Sequence, residues 1–281
     1  MTCSRRDLLK LGLGAAAAAA TGIRASNLFA AEAKKKIPVG LQLYSLREVI
    51  TKDVPGTLAK VAEMGYQGVE FAGYYNLKAE QVRKMLDDNG LKACGAHTSL
   101  QSLKGDALKA TVEFNKILGN QFLIVPSLPR AAMASIAALM DTVKAFNESA
   151  DRAGELGMRV GYHAHGWDFR PVADRTPWDV IFGNTNPEVV MQLDTGNCME
   201  GGGDPVAVLK KYPGRSLTIH LKEFGPKGVC LGEGKVPWQE ILDLCETTGN
   251  TQWYVVEQET FRLPPLESVK IAIENLRKLG R

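Results

Sequence analysis

The chain of 281 residues has little net charge of either sign and few cysteines. Its 34 lysines and arginines oppose 31 acidic residues, which leaves a formal charge of +3. Residues 1–33 carry four bases and two acids, so the remainder holds 30 bases and 29 acids and is close to neutral. A surface without an excess of positive charge does not attract nucleic acid or an anionic membrane. We therefore expect no nucleic-acid partner.

The cysteines follow no known spacing. Apart from Cys3 near the N-terminus, they are Cys94, Cys198, Cys230 and Cys245. These intervals match neither a disulfide framework nor a zinc motif, so we predict free, mostly buried thiols. The sequence after residue 33 also contains no low-complexity linker. Its absence favours one catalytic domain over residues 34–281.

The N-terminal segment has the composition of an export signal. Arg5 and Arg6 precede two leucines, and the apolar, alanine-rich run 11–20 is followed by a small-x-small site. That run is too short to span a bilayer, and the order of charged, apolar and small residues is typical of a signal peptide. The paired arginines resemble the twin-arginine signal. We predict that residues 1–33 engage the twin-arginine export machinery and are then removed. The mature protein would be periplasmic or otherwise exported, without a stable membrane anchor.

Short apolar segments alternate with amphipathic segments from residue 37 onward. Eight of the apolar segments are rich in valine, isoleucine and aromatic residues, which predicts strands. They are 38–45, 67–72, 92–98, 121–126, 158–165, 188–194, 216–222 and 252–258. The segments between them have apolar residues at helical spacing. The predicted helices are 53–64, 78–89, 106–119, 134–156, 204–211, 237–248 and 265–279, with a weaker pattern around 176–183.

This alternation predicts an α/β fold with parallel strands. Eight strands and about eight helices in one domain are typical of a closed (β/α)8 TIM barrel. The competing architecture, an open doubly wound sheet, usually has a glycine-rich phosphate turn after its first strand. Here the first strand leads into residues 44–47, which contain no glycine. The sequence therefore favours the barrel.

Ionisable and polar residues cluster near the C-terminal ends of the predicted strands. They are Tyr44, Glu70, His97, His163, His165, Asp194, His220, Lys222, Glu257 and Glu259. Those strand ends form the catalytic face of a barrel. Burying so many ionisable groups is costly unless they pair with one another or bind a cation. Mixed imidazole and carboxylate ligands predict a divalent metal, Mn²⁺ first, with Zn²⁺, Co²⁺, Fe²⁺ or Mg²⁺ as alternatives.

At these positions the sequence resembles the sugar phosphate isomerase/epimerase family of xylose isomerase-like TIM barrels. Within it, the sequence is similar to a subgroup with a Tyr-His-x-His fifth strand. The likeness covers the whole mature chain, and the order of its short motifs is more specific than any one of them. The motifs are 39–45, 161–165, 192–197, 204–205, 219–223, 231–234 and 255–259. The resemblance implies a metal held at the ends of strands five to eight by His163, Asp194, His220 and Glu257. Whether His163 or His165 is the strand-five ligand stays open.

The resemblance also bears on the reaction. Epimerases of the family have a glutamate on strand five, and a second glutamate ends strand eight; the two pass a proton across an enediolate. Histidines at strand five argue against that two-glutamate epimerisation. We expect a metal-dependent sugar isomerase or epimerase-like enzyme that acts on a free sugar or keto-sugar through an enediolate. The alternative is a lyase, dehydratase or hydrolase of 3-keto-glycosides or inososes at the same metal site.

Further side chains have predicted roles around this centre. The candidates for proton transfer are Glu257, His165 and Lys222. The candidates for substrate contact are Tyr44, Glu70, His97, Trp167 and Asn197, and Phe169 could extend an apolar face for the sugar ring.

Two other classes of protein fit the sequence less well. A multi-metal endonuclease needs a basic DNA-binding face, which the near-neutral charge does not provide. A non-catalytic sugar-binding protein would not need so many converging ionisable groups. Formation of a homo-oligomer stays open.

Overall fold

Eight short strands run parallel to one another and are joined by helices on the outside. The structure, a computed structural model, describes residues 36–281. The predicted signal peptide at residues 1–33 lies outside the described residues. The strands are β1 (Val39–Gln42), β2 (Gly68–Phe71), β3 (Lys92–His97), β4 (Phe122–Val125), β5 (Arg159–His163), β6 (Val190–Gln192), β7 (Thr218–Leu221) and β8 (Trp253–Val256).

Ten α-helices and four 3-10 turns connect these strands within the described residues. The helices are α1 (Arg47–Ile50), α2 (Val54–Glu63), α3 (Ala79–Asp88), α4 (Gly105–Leu118), α5 (Ile136–Glu155), α6 (Pro177–Asn184), α7 (Thr195–Glu200), α8 (Pro205–Lys211), α9 (Trp238–Glu246) and α10 (Pro265–Lys278). The 3-10 turns are Leu43–Leu46, Leu100–Leu103, Arg130–Met133 and Gly166–Phe169. The predicted (β/α)8 barrel in a single domain is therefore confirmed.

The predicted strands are all present, but each is shorter than the sequence pattern suggested. For example, β6 has three residues instead of the predicted 188–194. The helix predicted weakly around 176–183 is present as α6. Helical periodicity did not predict α1, α7 or the 3-10 turns, because segments of four to six residues are too short to show a helical period.

The barrel is continuous except at one seam. The strand order is β6-β5-β4-β3-β2-β1-β8-β7, so every neighbouring pair but β6 and β7 forms a ladder. At that seam a single β-bridge joins Asp194 to His220. The backbone N–H of His220 also donates to the carbonyl of Leu193 at 2.8 Å. The seam brings two of the predicted metal ligands side by side.

Side-chain caps fix where several helices begin. Asp53, Ser135 and Thr176 each accept a hydrogen bond from a backbone N–H in the first turn of α2, α5 and α6. Such caps satisfy donors that have no partner inside the helix. The C-terminus of α4 is capped by Gly119. Its φ of 71° lies in the left-handed region, which glycine adopts readily.

Arg215 fastens the loop between α6 and β6. Its guanidinium donates to the carbonyls of Phe182 at 2.6 Å, Asn186 at 2.8 Å and Val189 at 2.9 Å. It also donates to the Thr185 hydroxyl at 2.9 Å. One side chain thus satisfies four acceptors and holds the approach to the seam strand β6.

The structure also shows the state of the cysteines and the character of the helices. Cys94, Cys198, Cys230 and Cys245 are free and buried, which confirms the expectation for the thiols. Among the described residues, no helix combines the length and the apolar character needed to cross a bilayer.

Candidate metal and active site

Four side chains from the C-terminal ends of β5 to β8 converge at one point. His163 ends β5, His220 lies in β7, Glu257 follows β8, and Asp194 caps α7 just after β6. One donor atom from each lies within 4.8 Å of the others, and all four side chains are buried. His220 Nδ1 is 2.9 Å from Glu257 Oε2 and 4.0 Å from Asp194 Oδ2. His163 Nε2 is 3.8 Å from Glu257 Oε2. We call these four residues the donor cluster.

His163 is the strand-five member of this cluster. His165 is two residues further along, beyond the end of β5 and at the start of the Gly166–Phe169 turn. It is not part of the donor cluster. The geometry therefore distinguishes two histidines that the sequence left as alternatives.

The donor cluster fits a divalent metal ion. Asp194 Oδ1 accepts a hydrogen bond from the backbone N–H of Asn197 at 2.7 Å, but Oδ2 is buried and has no hydrogen-bond partner among the described residues. Burial raises the pKa of Asp194 to about 8, and the charge of Glu257 adds to this effect. A buried carboxylate oxygen without a partner is costly. Two imidazoles and two carboxylates suit Mn²⁺, Zn²⁺, Fe²⁺ or Co²⁺.

Glu70 contacts the donor cluster through the ring of His220. Its Oε2 lies 2.6 Å from His220 Nε2 and accepts a hydrogen bond from the amide of Gln42 at 2.8 Å. Its Oε1 accepts from the amide of Gln192 at 2.8 Å. A carboxylate on the outer nitrogen of a histidine fixes the ring so that the other nitrogen faces the metal. Here that other nitrogen is Nδ1, which points towards Asp194 and Glu257.

Glu70, which the sequence predicts as a substrate contact, does not line the main cavity. The side chain is fully buried beneath the imidazoles. A glycine on the neighbouring strand makes room for it, since a Cβ at Gly95 would lie 2.2 Å from Glu70 Oε1. Burial raises the pKa of Glu70, but His97 and His220 outweigh it and hold the pKa well below its usual range.

The donors of the cluster carry opposing charges. Burial lowers the pKa of His220, but the carboxylates of Glu70 and Glu257 outweigh it and raise that pKa to about 10. For Glu257, burial is outweighed by His220, so its pKa lies well below the usual value. Burial, helped by His220, lowers the pKa of His163 well below its ordinary value. A metal ion would replace the proton of His220, so metal binding should compete with protons.

A cavity of about 840 Å³ opens above the donor cluster. Its lining includes Tyr44, His97, His163, His165, Glu257 and Glu259, which we call its reactive end. Two predicted substrate contacts, Tyr44 and His97, therefore lie at the cavity. His165 also lies there, and burial lowers its pKa to about 4, so its imidazole is neutral near pH 7.

The aromatic residues predicted to form an apolar face are divided between surface and core. Trp167 is 45% exposed and stacks on the His165 ring at a centroid distance of 4.3 Å, but it does not line the cavity. Phe169 is buried, with its ring centroid 5.2 Å from that of Trp178, and does not line the cavity. Tyr44 alone of the three reaches the cavity.

Lys222 lies beside the cluster in a fixed position. Its ammonium pairs with Glu259 and donates to Asn197 Oδ1 at 2.9 Å. The amide of Asn197 in turn donates to the carbonyl of Ala164 at 2.9 Å. Asn197 is buried and does not line the main cavity, and its contact with the ammonium fits a role in positioning Lys222.

Lys222 faces a second cavity. This cavity measures about 210 Å³ and shares Glu257 and Glu259 with the main one. Burial lowers the pKa of Lys222, but Asp194 and the two glutamates outweigh burial and raise it above its usual value. The amine therefore stays protonated. The site thus has a neutral imidazole and a buried ammonium near one cluster.

Three members of this network had no role predicted from the sequence. Gln42 and Gln192, each the last residue of its strand, hold Glu70, and Gln192 Oε1 also lies 3.1 Å from His163 Nδ1. Glu259 was noted as polar but given no role. A glutamine inside an otherwise apolar buried strand was the available signal, because such an amide needs partners.

Comparisons with known proteins agree with this architecture. Residues 58–279 match the family described as xylose isomerase-like TIM barrel. An inosose dehydratase of Erwinia tasmaniensis is 25% identical over 75% of this chain and 84% of that protein. A sugar phosphate isomerase/epimerase structure from Parabacteroides distasonis is 25% identical, with a TM-score of 0.77 over 86% of this chain and 98% of that chain. A structure of an IOLI protein with a zinc atom shares the fold, with 13% identity and a TM-score of 0.66 over 86% of this chain and 98% of that chain. The chain therefore belongs to the xylose isomerase-like TIM barrel family.

Proposed function

We propose that the protein is a metal-dependent lyase that removes water from a keto-sugar or a keto-cyclitol. The observation that carries this proposal is the pair of unlike groups beside the donor cluster, the His165 imidazole and the Lys222 ammonium. Epimerisation by two carboxylates uses groups of one kind on both faces of the enediolate. Elimination needs a base for the proton and an acid for the leaving hydroxyl, which suits an imidazole and an ammonium.

The step can be written with the residues at hand. His165 takes the proton from the carbon next to the carbonyl. The electron pair of that C–H bond forms a C=C bond, and the C–O bond on the following carbon breaks. The hydroxyl leaves as water with a proton from Lys222. Transfer of a proton from His165 to Lys222 through solvent restores the enzyme.

The donor cluster would hold the cation for this step. A bound divalent metal supplies Lewis acidity, which makes the proton beside a carbonyl easier to remove. The neutral His163 and the unpartnered oxygen of Asp194 are available as ligands. His220, held by Glu70, presents its Nδ1 to the same point. The zinc atom of the IOLI protein, which shares the fold, supports a metal-dependent role for this chain.

Isomerisation, which the sequence favoured, is the second candidate. It would use the same cluster and the same C–H bond, but the proton would return to the neighbouring carbon. The inosose dehydratase among the relatives supports loss of water over this alternative. Export remains part of the proposal. If the enzyme is periplasmic, an unphosphorylated substrate is expected, and the sequence, which has no phosphate-binding turn, agrees with this.

Turnover of an inosose tests the proposal. Purified protein is incubated with Mn²⁺ and 2-keto-myo-inositol, and the product is analysed by mass spectrometry. We expect a product lighter by one water. His165→Asn should retain the metal but lose at least about a hundredfold in kcat, whereas His220→Ala should lose both metal and activity.

The proposed acid is tested by a matched pair of lysine variants. Lys222→Met removes the ammonium and should lower kcat by at least about a hundredfold. The same change at Lys109, which is exposed on α4 and does not line the main cavity, should leave kcat within about threefold. The proposal fails if the product has the mass of the substrate. It also fails if stripped protein, with no divalent metal in solution, turns over at the same rate.

A further inference from the structure

The main cavity is much larger than a single sugar ring. Roughly 150 Å³ is enough to hold one six-membered ring, whereas this cavity measures about 840 Å³. Cavities of about 300–1,000 Å³ normally hold ligands of drug size. A ring chelated at the donor cluster would therefore leave most of the space unfilled.

The loops after β2, β3 and β4 line the rest of this cavity with both polar and apolar side chains. The polar ones are Thr98, Ser99, Gln101, Lys104 and Ser127. The six apolar residues of these loops are Ala72, Leu100, Pro126, Leu128, Pro129 and Ala132. We call these six residues the apolar wall. Pro126, Leu100 and Ala132 are half-buried, so their apolar surfaces remain open to the cavity.

Resting on the proposed function, we infer that the substrate is a sugar ring that carries an apolar substituent, such as an aryl group. The ring lies at the donor cluster and the substituent lies against the apolar wall. Burial of apolar surface on both partners is the driving force for this contact. The wall is continuous with the reactive end of one cavity, so a single molecule can occupy both.

An anionic substituent fits this part of the cavity less well. Among the described residues that line this cavity, Lys104 is the one lysine or arginine, and its side chain is exposed at the N-terminus of α4. A phosphate usually meets several donors or an arginine fork. The other polar side chains of these loops, Thr98, Ser99, Gln101 and Ser127, are uncharged. The choice between an apolar and an anionic substituent can be measured directly.

The test compares three ligands on the full-length protein with Mn²⁺ by isothermal titration calorimetry. They are glucose, phenyl β-glucopyranoside and glucose 6-phosphate. We expect the phenyl glucoside to bind at least tenfold more tightly than either of the others. Ala132→Asp, which places a charge in the apolar wall, should remove this advantage. Ala131→Asp is the matched control, because Ala131 is exposed in the same 3-10 turn and does not line the cavity.

Leu100→Ser provides a second variant in a different loop and should also reduce the advantage. The inference is overturned if the phenyl glucoside gains less than tenfold over glucose, including the case in which neither binds. It is also overturned if glucose 6-phosphate binds most tightly, or if the Ala131 and Ala132 variants behave alike. Inosose turnover in the same preparations separates the two proposals. Dehydration without a phenyl advantage would refute this inference alone, and a phenyl advantage without dehydration would refute the proposed function alone.

Discussion

Asp194 and His220 meet across the seam between β6 and β7, joined by a single parallel β-bridge. Asp194 Oδ2 and His220 Nδ1 are 4.0 Å apart, and within residues 36–281 the aspartate oxygen has no hydrogen-bond partner. Every other neighbouring pair of strands in the described barrel is joined by a ladder. A cation bound by both side chains would therefore connect the barrel where its backbone pairing is weakest.

Metal binding should stabilise the fold for this reason. With free Mn²⁺ at a hundred times its Kd, the free energy of unfolding should rise by about 2.7 kcal/mol. For a domain of this size the Tm should then rise by roughly 5–10 °C. Thermal unfolding with EDTA and with Mn²⁺ measures the difference. Asp194→Asn should remove most of the shift, whereas Asp174→Asn at an exposed position should keep it. An equal Tm in EDTA and Mn²⁺ would contradict the prediction.

Glu70→Gln should weaken metal binding without removing a ligand. In the wild type, the amides of Gln42 and Gln192 and the ring of His220 contact the two carboxylate oxygens of Glu70. The variant leaves these three groups a single acceptor oxygen. Loss of such a supporting contact typically reduces metal affinity by about 10–100-fold. Competition with a fluorescent chelator measures the affinity. Glu63→Gln, on the exposed end of α2, is the control and should bind metal normally. An unchanged affinity in Glu70→Gln would show that the outer contact does not orient His220.

The fold could be predicted because buried parallel strands leave a strong pattern of apolar runs. The position of each side chain along the barrel axis could not be predicted. Glu70 and His97 lie near the ends of adjacent strands in the sequence, yet only His97 reaches the cavity. Strand periodicity indicates the side of a strand on which a residue lies, but it does not show how far along the barrel axis the residue sits.

The two histidines of strand five show a second limit. A spacing of two places His163 and His165 on one side only while the strand continues. β5 ends at His163, and the following turn carries His165 away from the donor cluster. Asn197 shows the same limit, since α7 begins directly after Asp194 and brings the asparagine into contact with Lys222. Short turns of this kind depend on tertiary contacts that local sequence does not specify.

Arg215→Met should destabilise the protein more than most surface changes. The variant removes donors from four acceptors in and around residues 182–189. At about 1 kcal/mol for each hydrogen bond, we expect a loss of roughly 3–4 kcal/mol in the free energy of unfolding. Urea denaturation measures this loss. Arg175→Met is the control, because Arg175 is exposed, and should change stability by about 0.5 kcal/mol or less. A similar effect in both variants would mean that Arg215 does not anchor the loop.

Asp168 should make stability depend on pH between about 4 and 7. Burial raises its pKa to about 7, although the backbone N–H of His165 and the hydroxyl of Tyr162 both donate to it at 2.7 Å. In an unfolded chain the pKa of an aspartate is about 3.9. The folded protein therefore holds this proton more tightly than the unfolded chain does. Its contribution to stability is fully present below about pH 4 and is lost as pH rises to about 7.

The size of this contribution follows from the shift in pKa. Three pH units correspond to about 4 kcal/mol, so we expect a change of a few kcal/mol. Asp168→Asn cannot titrate, and its stability relative to the wild type should therefore rise between pH 5 and pH 7.5. Urea denaturation of both proteins at the two pH values gives the comparison. Asp174→Asn, at an exposed site, should differ from the wild type in stability by the same amount at both pH values. If Asp168→Asn behaves in that way too, the carboxyl of Asp168 is already ionised at pH 5, and its two hydrogen bonds outweigh its burial.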